Sequence, residues 1–275
     1  KEKLILKNDY DESNICKEFY PKETRHINHD IPRRCPKSKK VRKAFRSLNK
    51  LKKFNLIQRP PKETITQFLN LYNEGKLSAA VDMAEVLTKK YPKAIMVWNI
   101  TGAVKQRLGL VEEAYFAFKK VTALNPTYAD GYNNLGIALQ EQGKLREAME
   151  AYKKAITIKP NFAEVYINIG NILKDQSKLD EAIEIYKKAL LLKPKYAEAY
   201  YHMGIALEDQ GKLADAIEAY KKAIYFEPHY ADAYLNLGLV LHDQGKLDEA
   251  IEVYNKVLSF KIDYALAYNN LGIAL

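Results

Sequence analysis

Three sets of residues in this chain have types and spacings that could do chemistry. Near the N-terminus, Cys16, His26, His29 and Cys35 are zinc-ligand types in the order Cys-x9-His-x2-His-x5-Cys. A structural zinc site presents tight ligand pairs from a knuckle or a helix turn, and this spacing fits no such arrangement, so no metal site is expected. The second set is a row of amides. Asn134, Asn168, Asn236 and Asn270 stand at corresponding places, with His202 in the equivalent place and Ile100 in that of an earlier segment. A side-chain amide offers both a donor and an acceptor, so such a row can pair with the N–H and C=O groups of an extended peptide. The third set is acidic. Glu141, Asp175, Asp209 and Asp243 form one series, and Asp130, Glu164, Glu198 and Asp232 another. Facing a groove, these carboxylates would favour a basic guest; near the start of a helix, a residue such as Asp130 also suits the helix dipole.

None of these sets reads as an active centre. His202, His229 and His242 fall on different phases of the pattern, and carboxylates that return in every unit are poor candidates for one unique site. No nucleophile motif, phosphate-binding glycine loop or paired metal ligands occur among the periodic residues. No catalytic residue and no cofactor are therefore expected.

The elements that must position these side chains follow from a period. Gly102, Gly136, Gly170, Gly204, Gly238 and Gly272 lie 34 residues apart. Ala80 to Ala250, Phe118 with Tyr152 to Tyr254, Trp98 with Tyr132 to Tyr268, and Pro92 to Pro228 keep the same interval. A period of this length marks stacked units rather than one closed globule. Within Ala129 to Phe162, Tyr132, Leu135, Gly136 and Leu139 make the stripe of one helix. Gly143 then ends it, because glycine enters the left-handed cap conformation cheaply. Leu145, Ala148, Tyr152 and Ala155 make the stripe of a second helix, and Pro160 stops that one. Gly136 and Ala148 are small where the paired helices should cross, while Tyr132 and Tyr152 should fill the core shared with neighbouring units. One such hairpin cannot bury its apolar faces alone.

This pattern resembles the tetratricopeptide repeat family. Residues 95–275 carry it almost without departure, and residues 61–94 form a weaker first unit in which Gln67 and Phe68 replace the usual Leu-Gly pair. Ser177 stands in place of a turn glycine. The resemblance implies an all-α, right-handed superhelical solenoid of helix-turn-helix units whose first helices line an inner, concave surface. The amide row is similar to the asparagine ladder in proteins of the O-linked N-acetylglucosamine transferase type. The implied function is a scaffold that binds an extended peptide or a partner protein. An alternative is the substrate-recruiting arm of a larger enzyme, a glycosyltransferase, sulfotransferase, methyltransferase or oxygenase. The implied peptide-binding residues are Asn134, Asn168, His202, Asn236 and Asn270, with Glu141, Asp175, Asp209 and Asp243.

Composition divides the 275 residues in two. Up to Lys62 there are 19 basic and 7 acidic residues, a balance of +12, and the remaining 213 residues hold 25 basic and 27 acidic, a balance of −2. From Arg33 to Lys62 there are 13 basic residues and no acidic one. Val41, Phe45, Leu48 and Leu51 share a helical phase there, after Ser38 as a candidate N-cap. Residues 1–60 are thus expected to be a basic extension, partly disordered, with an amphipathic helix near 38–57. Its partner is an anionic surface or the face of the first repeat, and nucleic acid is the weakest of these readings. Units are expected near 61–94, 95–128, 129–162, 163–196, 197–230 and 231–264, with a truncated one at 265–275. The chain starts at Lys1 and stops within a first helix, so it is expected to be part of a longer one. No apolar run approaches the roughly 18 residues of a membrane span. Cys16 and Cys35, outside the repeats, form no disulfide framework, which is compatible with a cytoplasmic protein.

Overall fold

The computed structural model describes residues 59–275, so the expected helix near 38–57 and the Cys16, His26, His29 and Cys35 set lie outside the described residues. Those described residues form 13 α-helices and no strand, an all-α helical repeat. The chain divides into two compact units, Lys1–Leu124 and Asn125–Leu275. The first holds α1 (Lys62–Asn73), α2 (Leu77–Lys90), α3 (Ile95–Arg107) and α4 (Val111–Leu124). The second holds α5 (Ala129–Glu141), α6 (Leu145–Ile158), α7 (Ala163–Asp175), α8 (Leu179–Leu192) and α9 (Ala197–Asp209), then α10 (Leu213–Phe226), α11 (Ala231–Asp243), α12 (Leu247–Leu258) and α13 (Ala265–Ala274). Odd-numbered helices are the first and even-numbered the second of each hairpin.

Each hairpin turns on a residue in the left-handed region. After α5, Gly143 has φ +72°, its N–H donates to the Gln140 carbonyl at 2.9 Å, and the Lys144 N–H donates to the Leu139 carbonyl at 2.9 Å. This pair of bonds satisfies carbonyls that the helix end leaves open. Ser177 makes the same turn with φ 59°, the single non-glycine residue in that region among the described residues. Its Cβ crowds the following carbonyl there.

The two helices of a hairpin are locked by a ring set on a glycine. A Cβ built on Gly136 would lie 2.4 Å from the Tyr152 ring, and on Gly170, Gly204 and Gly238 equally close to Tyr186, Tyr220 and Tyr254. The four tyrosine side chains are fully buried, as is Phe118 over Gly102. The expected close crossing is therefore made, and the equivalent ring of Tyr186 also reaches the next unit, where it stacks on His202. The first hairpin reverses the sizes. Phe68 takes the glycine place on α1 and Ala84 the ring place on α2, both buried in one apolar cluster. Large and small have changed sides, so the volume is conserved without the Leu-Gly pair.

Successive hairpins are joined through the proline turns. Trp98 Nε1 donates to the Pro92 carbonyl at 2.9 Å and Tyr166 Oη to the Pro160 carbonyl at 3.1 Å. Lysine ammoniums cover the aromatic residue that opens the next unit, Lys159 over Phe162 at 4.0 Å, Lys193 over Tyr196 at 3.7 Å and Lys261 over Tyr264 at 3.6 Å. Each such contact stabilises by roughly 0.5–1 kcal/mol where solvent reaches it.

Two substitutions check these contacts. Ser177→Gly relieves the left-handed strain, about 1–2 kcal/mol, against a glycine entropy cost of about 0.5–1 kcal/mol, so a gain of about 0.5–1 kcal/mol is expected in urea unfolding. Gly136→Ala improves helix propensity by about 1 kcal/mol yet drives a methyl into a ring that cannot move, for a net loss of about 1–3 kcal/mol. Gly136→Phe combined with Tyr152→Ala, the arrangement of Phe68 and Ala84, should cost much less than the sum of the two single changes, read as a coupling energy in a double-mutant cycle.

Candidate functional site

First helices lean on first helices, α7 on α9 and α11 on α13 in the second unit, while second helices pack on the first helices of their own and the following repeat. The amide row lies at these approaches, at the sixth place of each repeat counted from Ala129. Asn168 Nδ2 donates to Asn133 Oδ1 of the preceding first helix at 3.0 Å. Asn236 does the same two repeats further along, its amide bonding the hydroxyls of Tyr201 and Tyr220. Asn134 is only 4% exposed, so its amide sits among packed side chains. Asn270 accepts a long bond of 3.4 Å from Asn269. The row is thus partly committed: side chains at the fifth place of one repeat orient those at the sixth place of the next.

His202 breaks the rule. The fifth place before it is Ile167, which has no polar atom, and His202 Nδ1 is buried without a hydrogen-bond partner. The ring stacks on Tyr186 with centroids 6.0 Å apart and meets Tyr201 edge-on at 5.3 Å. Burial, and next the ammonium of Lys174, push its pKa from the ordinary 6.5 down to about 4, with Asp175 opposing. The imidazole is therefore neutral at pH 7, an acceptor or donor held in a mostly apolar wall.

The carboxylates Glu141, Asp175, Asp209 and Asp243 are exposed at the thirteenth place, the C-terminal ends of α5, α7, α9 and α11. Their fields overlap. Burial first, then Asp175 and Asp209 together, raise the Tyr186 hydroxyl pKa; burial first, against the Tyr220 hydrogen bond and with Asp209 and Asp243 from two different helices adding to it, holds the Glu208 carboxyl up. Asp175 also pairs with Lys174 at 3.1 Å and Asp243 meets His242 Nδ1 at 3.3 Å, which offsets part of the charge. Glu208 accepts from Tyr220 Oη at 2.6 Å and closes a network of Tyr201, Asn236, Tyr220 and Glu208. Neither Glu208 nor Tyr201 is visible as a site residue in the sequence. Their places hold Gln140 and Lys174, or Asn133 and Ile167, in other repeats, so no periodicity singles them out.

The second acidic series has a different task from the one a groove would give it. Tyr264 Oη donates to Asp232 Oδ1 at 2.8 Å, and Lys193 meets Glu164 at 3.9 Å. Glu198 hydrogen-bonds Tyr196, whose hydroxyl pKa is raised by burial, then by Glu198 and Glu164. These carboxylates hold residues of the segments that lead from one repeat into the next, Lys193, Tyr196 and Tyr264. Periodicity alone does not distinguish a contact repeated between units from a contact offered to a guest.

The hairpin lock, the repeat-to-repeat contacts and the register agree with family matches over 129–275. Two models described as tetratricopeptide repeat match 129–162 and 151–184, and one described as TPR repeat matches 170–211, 206–245 and 238–275. The chain belongs to the tetratricopeptide repeat family. None of the curated proteins compared with it matches. Among solved structures it is similar to MamA, at 30% identity over 60% of this chain and 96% of that one, with a TM-score of 0.52. MamA from Desulfovibrio magneticus RS-1 is similar at 22% identity over 62% of this chain and 97% of that one, TM-score 0.53. PilF of Pseudomonas aeruginosa is similar at 19% identity over 64% and 88%, TM-score 0.56. The last two likenesses speak for the fold alone. Proteins of this family are protein-interaction scaffolds, and this chain is built as one. No helix among the described residues is long and apolar enough to cross a membrane.

His202 gives a pH dependence with a definite sign. Its pKa falls to about 4 on folding from 6.5, so the unfolded chain takes up the proton first. This contribution to stability is complete above about pH 6.5 and is lost as the pH falls towards about 4, by on the order of 2–3 kcal/mol at about 1.4 kcal/mol per pKa unit. His202→Asn, which places the row's usual residue there, should flatten the fall in urea midpoint between those two values. An unchanged slope would assign it to carboxylates instead.

Proposed function

We propose that the first helices of Asn125–Leu275 hold an extended, basic segment of a partner protein along their shared face. The observation that carries this reading is the alignment of charge on three successive first helices. Asp175, Asp209 and Asp243 stand exposed at the same place of α7, α9 and α11, so a guest lying across these helices meets a carboxylate on each. Such a row of like charge raises the local concentration of a basic chain and speeds its encounter.

The amide row supplies the second half of recognition. Asn168 and Asn236 are half-buried and anchored to the preceding repeat, Asn168 through Asn133 and Asn236 through Tyr201 and Tyr220, which holds their amides oriented for a main chain. Asn270 extends the row and Asn134, lower in the wall, orients it. His202 holds a neutral ring in the middle of the row, with its Nδ1 out of contact with solvent. Main-chain contacts fix the direction of the guest, and the carboxylates Glu141, Asp175, Asp209 and Asp243 select its side chains.

A panel of synthetic peptides of random sequence, each carrying a fluorophore, tests both halves on the full chain. Lys- and Arg-containing members should be retained preferentially at low salt. Asp209→Asn with Asp243→Asn should abolish that preference while sparing binding of neutral members. Asn168→Ala with Asn236→Ala should weaken all members alike, by roughly tenfold if about 1.4 kcal/mol of hydrogen bonding is lost. Binding that is indifferent to all four changes would rule out this face.

A further inference from the structure

The repeats are copies of one another, so a place where several departures meet is informative. Two pairs of second helices, α8 with α10 and α2 with α4, each leave a groove floored by the first helix between them. In the second unit the groove between α8 and α10 encloses about 340 Å³ over Ile183, Met203, Leu207 and Ala219. Its walls carry ion pairs within each helix, Lys187 with Glu184 at 2.8 Å and Lys222 with Glu218 at 2.8 Å. The corresponding groove of the first unit, between α2 and α4 over α3, encloses about 350 Å³ and is lined differently.

Its departures are concentrated. Lys105 stands where the other first helices have Leu139, Leu173, Leu207 and Leu241, and Thr101 where they have Leu135, Ile169, Met203 and Leu237. Phe116 replaces Glu150, Glu184, Glu218 and Glu252, and Glu85 replaces lysines such as Lys153 and Lys187. All four line this one groove. Phe116 is 62% exposed, with the Trp98 ring edge-on at 6.3 Å, so an aromatic wall stands where an ion pair stands elsewhere. Lys105, with its side chain 13% exposed, is neutralised by Glu113 at 2.8 Å. Counting Glu85, Glu112 and Glu113 against Lys105, the groove carries two net negative charges. It therefore suits an occupant with an apolar stripe and a basic flank.

We propose that this groove seats the chain's own residues 38–57. That stretch lies within the 13 basic residues and no acidic ones from Arg33 to Lys62, and its Val41, Phe45, Leu48 and Leu51 fall on one helical stripe. The charges are complementary, and so are the apolar surfaces. The connection is also short. α1 and α2 are antiparallel across a tight turn, so the N-terminus of α1, the C-terminal end of α2 with Thr88, and the start of α3 with Trp98 lie at the same end of the hairpin. The stretch leads into α1 through Pro60 and Pro61, at the end of the hairpin where Thr88 and Trp98 also lie. Tethering so close gives an effective concentration on the order of millimolar, which favours this segment over a free competitor.

Trp98 is the single tryptophan of the chain, so acrylamide quenching of its fluorescence reads the groove directly. In the full chain, Phe45→Asp with Leu48→Asp should raise the quenching constant at least about twofold, and about 0.5 M salt should move the unmodified chain in the same direction. Glu85→Lys with Glu112→Lys should do likewise and speed tryptic cleavage between residues 33 and 62 about fivefold, as an exposed tethered segment requires. Glu184→Lys with Glu218→Lys, in the other groove, should change neither reading. Quenching that ignores the Phe45 and Leu48 changes overturns the proposal. So does quenching that depends on protein concentration, which would make the occupant a second molecule. Neither reading depends on whether the inner face binds peptides.

Discussion

Everything in this molecule rests on a ring lying on a glycine. Tyr152, Tyr186, Tyr220 and Tyr254 fit over Gly136, Gly170, Gly204 and Gly238 so closely that not even a methyl group could stand between. The contact sets how near the two helices of a hairpin come and hence which faces remain for the neighbours. A helix pair this short is marginal by itself, and an apolar face on each side demands a neighbour. The first hairpin shows that what matters is the volume and not the residues, because Phe68 and Ala84 make the contact with the sizes exchanged. Gly272, on α13, has open space where the other first-helix glycines meet a ring, and Tyr268 and Ile273 beside it are exposed.

With the hairpins fixed, first helices are brought against first helices, and polar side chains meet there that are far apart in sequence. Asn133 and Asn168, or Tyr201 and Asn236, are bonded across the approach. A buried amide without a partner costs about 1–3 kcal/mol, so the pairing at the fifth and sixth places is a condition of stacking as well as a feature of the surface. The same bonds hold each amide in one orientation. A recognition face built this way loses little freedom when a guest arrives, since its side chains are ordered beforehand.

Much of the fold was legible because the lock needs particular volumes at fixed intervals. Gly136 with Tyr152 and the turn at Gly143 are dictated by sterics, and sterics repeat. The face was less legible. Glu164, Glu198 and Asp232 recur as regularly as Asp175, Asp209 and Asp243, yet the former are tied to tyrosines and a lysine in the segments between repeats and the latter are exposed at helix ends. Recurrence marks what the stack needs, whether or not a guest needs it too. Glu208 and Tyr201 belong to the network on the face but occur once each, so the period hides them.

That asymmetry gives the departures from the repeat their meaning. A residue that replaces the common one inside a stack must either be tolerated at a cost or be matched by something outside the repeat. Ile167 and His202 illustrate the first case, an imidazole left without a mate because its neighbour is apolar. Lys105 illustrates how a replacement is matched locally, since Glu113 neutralises an ammonium that sits where leucine is usual. Phe116 is not matched locally: no packing of its own unit covers it, although the same position in the other repeats carries a glutamate that water solvates at no cost. Burying an exposed ring of that size is worth about 1.5–3 kcal/mol, and only a surface from beyond the two walls of its groove can supply the burial.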